Sequence, residues 1–120
     1  MYRRYWVALA LVLLCGCSDP RLSPLPPGGT ILAFGDSLTA GVGAASSQSY
    51  PSALAQLSGL QVINAGISGE TTAGGVQRLP ATLAEHSPDL LLLLQGGNDI
   101  LRGKQAAATR ANLAAMIEQA

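Results

Sequence analysis

The distribution of apolar and polar positions along residues 30–120 predicts short strands separated by longer helices. Three apolar runs have the length of strands, and they lie at about Thr30–Phe34, Gln61–Asn64 and Leu90–Gln95. The third run begins with five consecutive leucines, which is typical of a strand that is covered on both faces. Because helix-like segments separate the three runs, the pattern predicts βαβ units and a parallel sheet.

The segments between and after these runs have helical periodicity. A short helix is expected at Tyr50–Ser58, and a second is expected within Thr72–His86, where Pro80 and two glycines leave the start of the helix open. Residues Gln105–Ala120 are rich in alanine and predict a third helix. Its apolar stripe, which is expected to lie in the core, consists of Leu113, Met116 and Ile117.

The third helix leads to the last residue, Ala120, without a further strand. A buried parallel strand needs neighbours for its backbone groups and cover for its apolar faces. We therefore expect the sequence to be a fragment in which residues 30–120 are the N-terminal part of a domain, truncated after about three strands.

The first residues are typical of a secretory signal. Arg3 and Arg4 precede an apolar run, Trp6–Leu14, that is too short for a transmembrane helix of roughly 20 residues. The residues before Cys17 resemble the lipobox of bacterial lipoproteins, so we expect a signal over residues 1–16, diacylglycerol on Cys17 and export to the bacterial periplasm. An ordinary cleaved signal is the alternative. Residues 17–29 are rich in Pro and Gly and are expected to form an extended tether.

The charge of the chain argues against nucleic acid and anionic lipid surfaces as binding partners. The sequence has seven basic and seven acidic side chains, and removal of residues 1–16 takes away two arginines, so that five basic and seven acidic side chains remain. This balance gives no electrostatic footprint for nucleic acid or for an anionic lipid surface. Any membrane attachment is therefore expected to come from the acyl chains on Cys17.

Polar, glycine-rich turns follow all three predicted strands. Ser37 comes directly after Gly35 and Asp36, and the other two turns are Asn64–Glu70 and Gly96–Asp99. Because the carboxyl ends of parallel strands meet at one edge of a sheet, the three turns are expected to form one site. Each turn alone could hold only helix caps. Together they offer a hydroxyl, a glycine amide and a carboxamide, which are the groups that acyl transfer with an oxyanion hole requires.

Three ordered blocks resemble the GDSL, or SGNH, hydrolases: Gly35–Leu38, Asn64–Thr71 and Gly96–Asp99. The neighbouring residues 78–80 and 100–103 are most similar to the branch of bacterial arylesterases and multifunctional acyl-CoA thioesterase/lysophospholipase enzymes. The resemblance implies a three-layer α/β/α fold with a flavodoxin-like parallel sheet. It also implies hydrolysis of small carboxylic esters or thioesters without a metal or organic cofactor.

By this resemblance, Ser37 is the nucleophile, and its backbone N–H, the Gly69 N–H and the Asn98 side-chain amide form the oxyanion hole. The family's general base is a histidine in an Asp-x-x-His block, and residues 100–120 contain neither Asp nor His. His86 is the only histidine, and it precedes the third strand, so it is expected at the opposite end of the sheet, at a helix C-terminus. We therefore expect this chain alone to be nearly inactive. Glu70 and Asp99 are expected to orient turns rather than transfer protons.

Other functions remain open at this stage. The chain could be a complete, non-catalytic envelope lipoprotein that binds acyl or glycan groups, or a carbohydrate deacetylase of the same superfamily. A nucleotide- or flavin-binding role has little support, because the sequence has neither Gly-x-Gly-x-x-Gly spacing nor a phosphate loop with lysine.

Overall fold

The computed structural model describes residues 22–120. The predicted signal, Cys17 and the first part of the tether lie outside the described residues. Residues 22–29 form neither helix nor strand, and a turn closes with a hydrogen bond from Gly29 N to Pro26 O at 2.9 Å. No helix in the described part of the chain is long and apolar enough to cross a membrane.

Three strands follow the tether: β1 (Thr30–Gly35), β2 (Gln61–Gly66) and β3 (Leu90–Leu94). They form one sheet in the order β2-β1-β3, and both pairings are parallel. Since β1 lies in the centre, its exit is next to the exits of both β2 and β3. The predicted strands and the parallel sheet are confirmed, with the ends shifted by one or two residues.

The predicted helices are also confirmed. Helices α2 (Tyr50–Ser58) and α3 (Thr72–His86) lie where the sequence pattern placed them, and α5 spans Ala106–Gln119. Two further helices, α1 (Ser37–Ala40) and α4 (Gly97–Leu101), directly follow β1 and the turn after β3, and a short 3₁₀ helix covers residues 46–48. They were not predicted, because four or five residues are too few to show helical periodicity.

The core lies between the sheet and the pair α3 and α5. Alternate residues of each strand face it, as a two-residue period requires. The fully buried members are Leu32, Phe34, Leu79 and Met116, and the partly buried residues packed against them are Ile63, Ala65, Val76, Leu83, Leu91, Leu93 and Leu113. Helices α1 and α2 pack against β2. The architecture is a three-layer α/β fold.

Helix α3 contains Pro80, which has no N–H to bond to the carbonyl of Val76. The side chain of Gln119 in α5 donates to that carbonyl instead, at 3.4 Å. Gly75 lets α5 approach closely, since a Cβ there would lie 2.9 Å from the sulfur of Met116. Pro80 and Gly75, two of the residues that left the start of this helix open from sequence, therefore serve its contact with α5.

Candidate active site at the carboxyl edge of the sheet

Ser37 is presented by a sharp transition from β1 to α1. The strand ends at Gly35, and Asp36 is the N-cap of α1, with its Oδ1 accepting the backbone N–H of Leu38 at 3.0 Å. As the first helical residue, Ser37 has a backbone N–H that no carbonyl of the helix accepts. Its side chain is half-buried, and no side-chain hydrogen bond among residues 22–120 involves its hydroxyl. Both groups are therefore available to a ligand.

The ends of β1 and β2 are in close contact with α1. A Cβ on Gly35 would lie 2.6 Å from the carbonyl oxygen of Leu94, and a Cβ on Gly66 would lie 2.7 Å from the Cα of Ala40. Real Cβ atoms essentially never approach other heavy atoms so closely. Only glycine fits at these two positions, and their close packing fixes α1, and with it Ser37, against the sheet.

Asn98 lies in α4, one residue after the helix begins. The chain leaves β3 through Gln95 and Gly96, whose φ of 115° belongs to the left-handed region that favours glycine. Asn98 Nδ2 donates to the carbonyl oxygen of Glu70 at 2.9 Å and lies 3.5 Å from Asp36 Oδ2. The side chain of Asn98 thus connects the exits of all three strands.

Gly69 lies in a turn between β2 and α3. The turn closes with a hydrogen bond from Glu70 N to Ile67 O at 3.2 Å, and Gly69 has a φ of 77°, which is the pattern of a type II turn with glycine at its third position. Arg102 Nη2 donates to the Gly69 carbonyl oxygen at 2.9 Å. The turn does not use the Gly69 N–H for its own closing bond.

Ser37 and Asn98 line one cavity of about 170 Å³. The full set of lining residues is Asp36, Ser37, Leu38, Gly97, Asn98 and Leu101. The structure thus brings together the predicted nucleophile and the predicted carboxamide. Gly69 is not in this set, and it is next to Glu70, whose carbonyl binds Asn98. A cavity with a free hydroxyl, a carboxamide and two leucines has the composition that a small acyl group requires.

A larger open groove of about 380 Å³ lies on the other side of α4. Its lining residues are Ile100, Lys104, Ala106, Thr109, Arg110 and Leu113. None of them is a predicted site residue, and the one hydroxyl in this lining, that of Thr109, is already bonded to Asp99 Oδ1 and to the Gln105 carbonyl oxygen, each at 3.4 Å. The smaller cavity at Ser37 is therefore the candidate active site.

Asp99 is buried next to Asn98 and holds the start of α3. Its Oδ2 accepts the Thr72 N–H at 2.8 Å, its Oδ1 accepts the Thr72 hydroxyl at 2.7 Å, and the Thr109 hydroxyl lies at 3.4 Å. Burial raises the pKa of the Asp99 carboxyl, but the hydrogen bonds from Thr72 and Thr109 outweigh it and hold the pKa below its ordinary value of 3.8. Asp99 thus orients the start of α3, in keeping with the orienting role predicted from the sequence.

Glu70 also has an orienting role. Its carboxylate accepts two hydrogen bonds from Arg78, at 2.7 and 2.8 Å, and one from Gln95 Nε2 at 2.7 Å. No role for Arg78 or Gln95 was predicted from the sequence. The only signal was the proximity of Arg78 to a family block, because a pairing across eight and twenty-five residues leaves no local pattern.

The remaining sequence interpretations concern proton transfer and metals. His86 is the last residue of α3, before β3 begins, with its Nε2 at 3.9 Å from Glu85 Oε2, which confirms its expected place at a helix C-terminus. Across residues 22–120, no group of three or more His, Cys, Asp or Glu side chains could hold a metal ion.

Comparisons with known proteins identify the family of the chain. The model of the GDSL-like lipase/acylhydrolase family matches residues 33–120. The chain is 41% identical over 115 residues to Esterase TesA of Pseudomonas aeruginosa, in an alignment that covers 91% of this chain and 57% of that protein. It is 42% identical over 91 residues to thioesterase 1/protease 1/lysophospholipase L1 of Escherichia coli K12, which covers 74% of this chain and 44% of that protein. The chain thus spans about half the length of these relatives.

A solved structure shows the same fold. The crystal structure of AlinE4, an SGNH-hydrolase family esterase, superposes with a TM-score of 0.71 at 40% sequence identity. The superposition covers 82% of this chain and 55% of AlinE4. The expected SGNH-type α/β fold is therefore confirmed for the described part of the chain.

Proposed function

The chain belongs to the GDSL-like lipase/acylhydrolase family, and from this premise we propose that the protein hydrolyses carboxylic esters or thioesters with Ser37 as nucleophile. The observation that carries the proposal is the shared cavity of Ser37 and Asn98, in which the serine hydroxyl is free and the carboxamide is held by the Glu70 carbonyl. Small aryl esters, acyl-CoA and lysophospholipids are the candidate substrates.

The proposed reaction has two steps. A base takes the proton of Ser37 while its oxygen attacks the acyl carbon, and the tetrahedral oxyanion is stabilised by the N–H groups of Ser37 and Gly69 and by Asn98 Nδ2. The intermediate collapses to an acyl-serine, and the leaving alcohol or thiol takes the proton. Water then attacks the acyl-serine with the help of the same base, which releases the acid and restores the hydroxyl.

The base is proposed to come from an Asp-x-x-His block outside residues 1–120. Support comes from the sequence, whose one histidine is His86, at the amino end of β3 rather than at the carboxyl edge. A serine hydrolase without its base keeps only about 10³–10⁴-fold enhancement over water. Residues 1–120 alone should therefore show little turnover.

The test compares hydrolysis of p-nitrophenyl butyrate by the protein as its gene encodes it, by residues 1–120 alone and by the Ser37→Ala variant of each. We expect turnover that Ser37→Ala abolishes in the encoded protein and nearly none in residues 1–120. Ser47→Ala, at an exposed serine of the 3₁₀ helix that does not line the cavity, is the matched control and should retain full activity.

Each possible result decides one part of the proposal. Robust Ser37-dependent turnover by residues 1–120 would contradict the proposed source of the base. An encoded protein without Ser37-dependent turnover would contradict the esterase assignment and favour a binding protein. Replacing Asn98 by Ala should lower kcat by about 10²–10³-fold, as loss of one oxyanion donor does in other hydrolases.

Export and a lipid anchor at Cys17 are a separate part of the proposal, which the sequence of residues 1–17 supports. Metabolic labelling with a radioactive fatty acid in a bacterial host should label the wild-type protein and not the Cys17→Ala variant. Labelling that is independent of Cys17 would contradict the anchor, whereas a secreted and unlabelled wild-type protein would favour an ordinary cleaved signal.

A further inference from the structure

Glu70 has two attachments that point in different directions. Its main-chain carbonyl accepts the hydrogen bond from Asn98 Nδ2 at 2.9 Å, and its side-chain carboxylate is held by Arg78 and Gln95. The position of the carbonyl therefore depends on how firmly the carboxylate is fixed. Any movement of Glu70 must move the carbonyl oxygen that orients the carboxamide of Asn98.

Arg78 is the main anchor of that carboxylate. Its Nε and Nη2 bind the two carboxylate oxygens of Glu70 at 2.8 and 2.7 Å, and Nη2 also donates to Ala65 O, in β2, at 3.0 Å. The guanidinium lies 3.9 Å from the centre of the Phe34 ring, in β1. The side chains of Arg78 and Glu70 are only 23% and 9% exposed, so solvent weakens this pair less than a surface pair.

We propose that Arg78 is a positioning residue for ester hydrolysis, which acts through Glu70 to fix the carboxamide of Asn98; the proposal rests on the function proposed above. An Nδ2 group has two hydrogens, and the Glu70 carbonyl takes one of them. The second is donated to Asp36 Oδ2 at 3.5 Å, a long hydrogen bond to a residue that also lines the cavity, so this hydrogen can pass to a stronger acceptor there. This second hydrogen is the one that an oxyanion would accept.

The expected consequence concerns kcat more than KM. A donor that must meet a developing oxyanion contributes only if it is already in place, and a misplacement of about 1 Å can lower the rate about 10²-fold. The apolar part of the cavity lining is Leu38 and Leu101, and Arg78 does not line the cavity, so ground-state binding of a small ester should depend little on Arg78. A residue that only stabilises the fold would change the amount of folded protein and leave the rate per active site unchanged.

The first experiment measures kcat and KM of the encoded protein for p-nitrophenyl butyrate, per active site titrated with a phosphonate that reacts with Ser37. Arg78→Lys keeps the charge but loses the planar fork that binds both oxygens of Glu70. We expect a 10- to 100-fold lower kcat, as a misplaced group would cause, with KM changed less than about twofold. Arg110→Lys, an exposed arginine in α5, is the matched control and should retain the wild-type kcat.

A second, milder variant keeps the proposal testable if Arg78→Lys does not fold. Gln95→Leu removes one anchor of Glu70 together with Gln95 Oε1, a buried oxygen without a hydrogen-bond partner in the described chain. Because a buried atom without a partner is itself unfavourable, this variant should fold. We expect a kcat several-fold below wild type, between those of Arg110→Lys and Arg78→Lys. An unchanged kcat in both Gln95→Leu and Arg78→Lys would overturn the proposal.

A second readout does not depend on hydrolysis. The side-chain NH₂ signals of Asn98 can be assigned in an NMR spectrum by their loss in Asn98→Asp. In wild-type protein the proton bonded to Glu70 should be shifted and slow to exchange, and Arg78→Lys should move both signals, whereas Arg110→Lys should not. Unmoved signals would overturn the positioning role. If the encoded protein shows no Ser37-dependent turnover, the proposed function fails, but these signals still decide whether Arg78 positions Asn98.

Discussion

The two sides of the Ser37 cavity are held in place by different forces. On the Ser37 side, α1 lies so close to the ends of β1 and β2 that Gly35 and Gly66 have no space for a Cβ. On the Asn98 side, α4 is held by buried polar groups, with Asn98 bonded to Glu70 and Asp99 bonded to Thr72. Close packing fixes the Ser37 side of the cavity, and hydrogen bonds between buried polar groups, one of them the Asp99 carboxylate, fix the Asn98 side.

This difference predicts two kinds of sensitivity. Steric fit does not depend on protonation, so the close packing at Gly35 and Gly66 on the Ser37 side should fail when volume is added, whatever the pH. A buried carboxylate contributes only while it is ionised, so the Asn98 side should fail when charge is removed or when the pH falls. Measurements of stability can separate the two sides.

Gly66→Ala should have the largest effect. The new Cβ would meet the backbone of Thr39 and Ala40, with the Cα of Ala40 at 2.7 Å, and backbone atoms cannot rotate away as a side chain can. Overpacking typically costs 1–3 kcal/mol, and we expect a loss of about 3 kcal/mol or more in the free energy of unfolding, measured with urea.

Gly59→Ala is the control for this change. Gly59 ends α2 with a φ of 69°, and a Cβ there would meet no atom within 4 Å, so the variant carries backbone strain without a clash. Its expected cost is about 1 kcal/mol. A Gly66→Ala variant no less stable than Gly59→Ala would show that the Ser37 side does not depend on close packing.

Asp99→Asn tests the Asn98 side of the cavity. The amide keeps the shape of the carboxylate but has only one oxygen, so its NH₂ group would face either the N–H or the hydroxyl of Thr72. Hydrogen bonds to charged groups contribute about 1.5–3 kcal/mol, and we expect a loss of about 2–3 kcal/mol by urea unfolding. Asp89→Asn, whose carboxylate accepts one exposed hydrogen bond from Thr30 N, should lose about 1 kcal/mol or less. Equal losses in the two variants would contradict the special role of Asp99.

The stability gap between the wild type and Asp99→Asn should depend on pH. The folded-state pKa of Asp99 lies below its ordinary value of 3.8, so its ionised form stabilises the fold above that value. The contribution should be constant at neutral pH and shrink as the pH falls below 3.8 toward the folded-state pKa. Urea unfolding of both proteins at a series of pH values measures the gap. A gap that widens in acid would show that the pKa is raised.

The sequence pattern predicted the elements that are long enough to show a period. The bounds of Tyr50–Ser58 are confirmed, and the second helix fills the whole of Thr72–His86, the range within which it was expected, whereas α1 and α4 were missed because each is little more than one turn. The proximity of Ser37 and Asn98 followed from a rule about parallel strands, whose exits share one edge, and the structure confirms it.

The bonds that hold the site could not be predicted in this way. The pairs Glu70–Arg78 and Asp99–Thr72 join residues that lie eight and twenty-seven positions apart, and they depend on how the elements pack. The residue types were visible, but a carboxylate that follows a glycine turn is as suited to a local cap as to a distant partner. The choice between these roles is made by the tertiary structure.

Thr71→Ala, which should have the smallest effect, tests whether the start of α3 is capped locally by Thr71 or held by the distant Asp99. Thr71 precedes α3 and has the residue type of an N-cap, but its side chain makes no capping bond, and Asp99 accepts the N–H of Thr72 instead. We expect a change of less than about 0.5 kcal/mol in the free energy of unfolding, against about 1 kcal/mol for loss of a working cap. Asp36→Ala, which removes the cap that bonds Leu38 N, is the comparison and should cost about 1 kcal/mol. If Thr71→Ala costs as much as Asp36→Ala, the start of α3 is held locally, and the Asn98 side depends less on Asp99 than its contacts indicate.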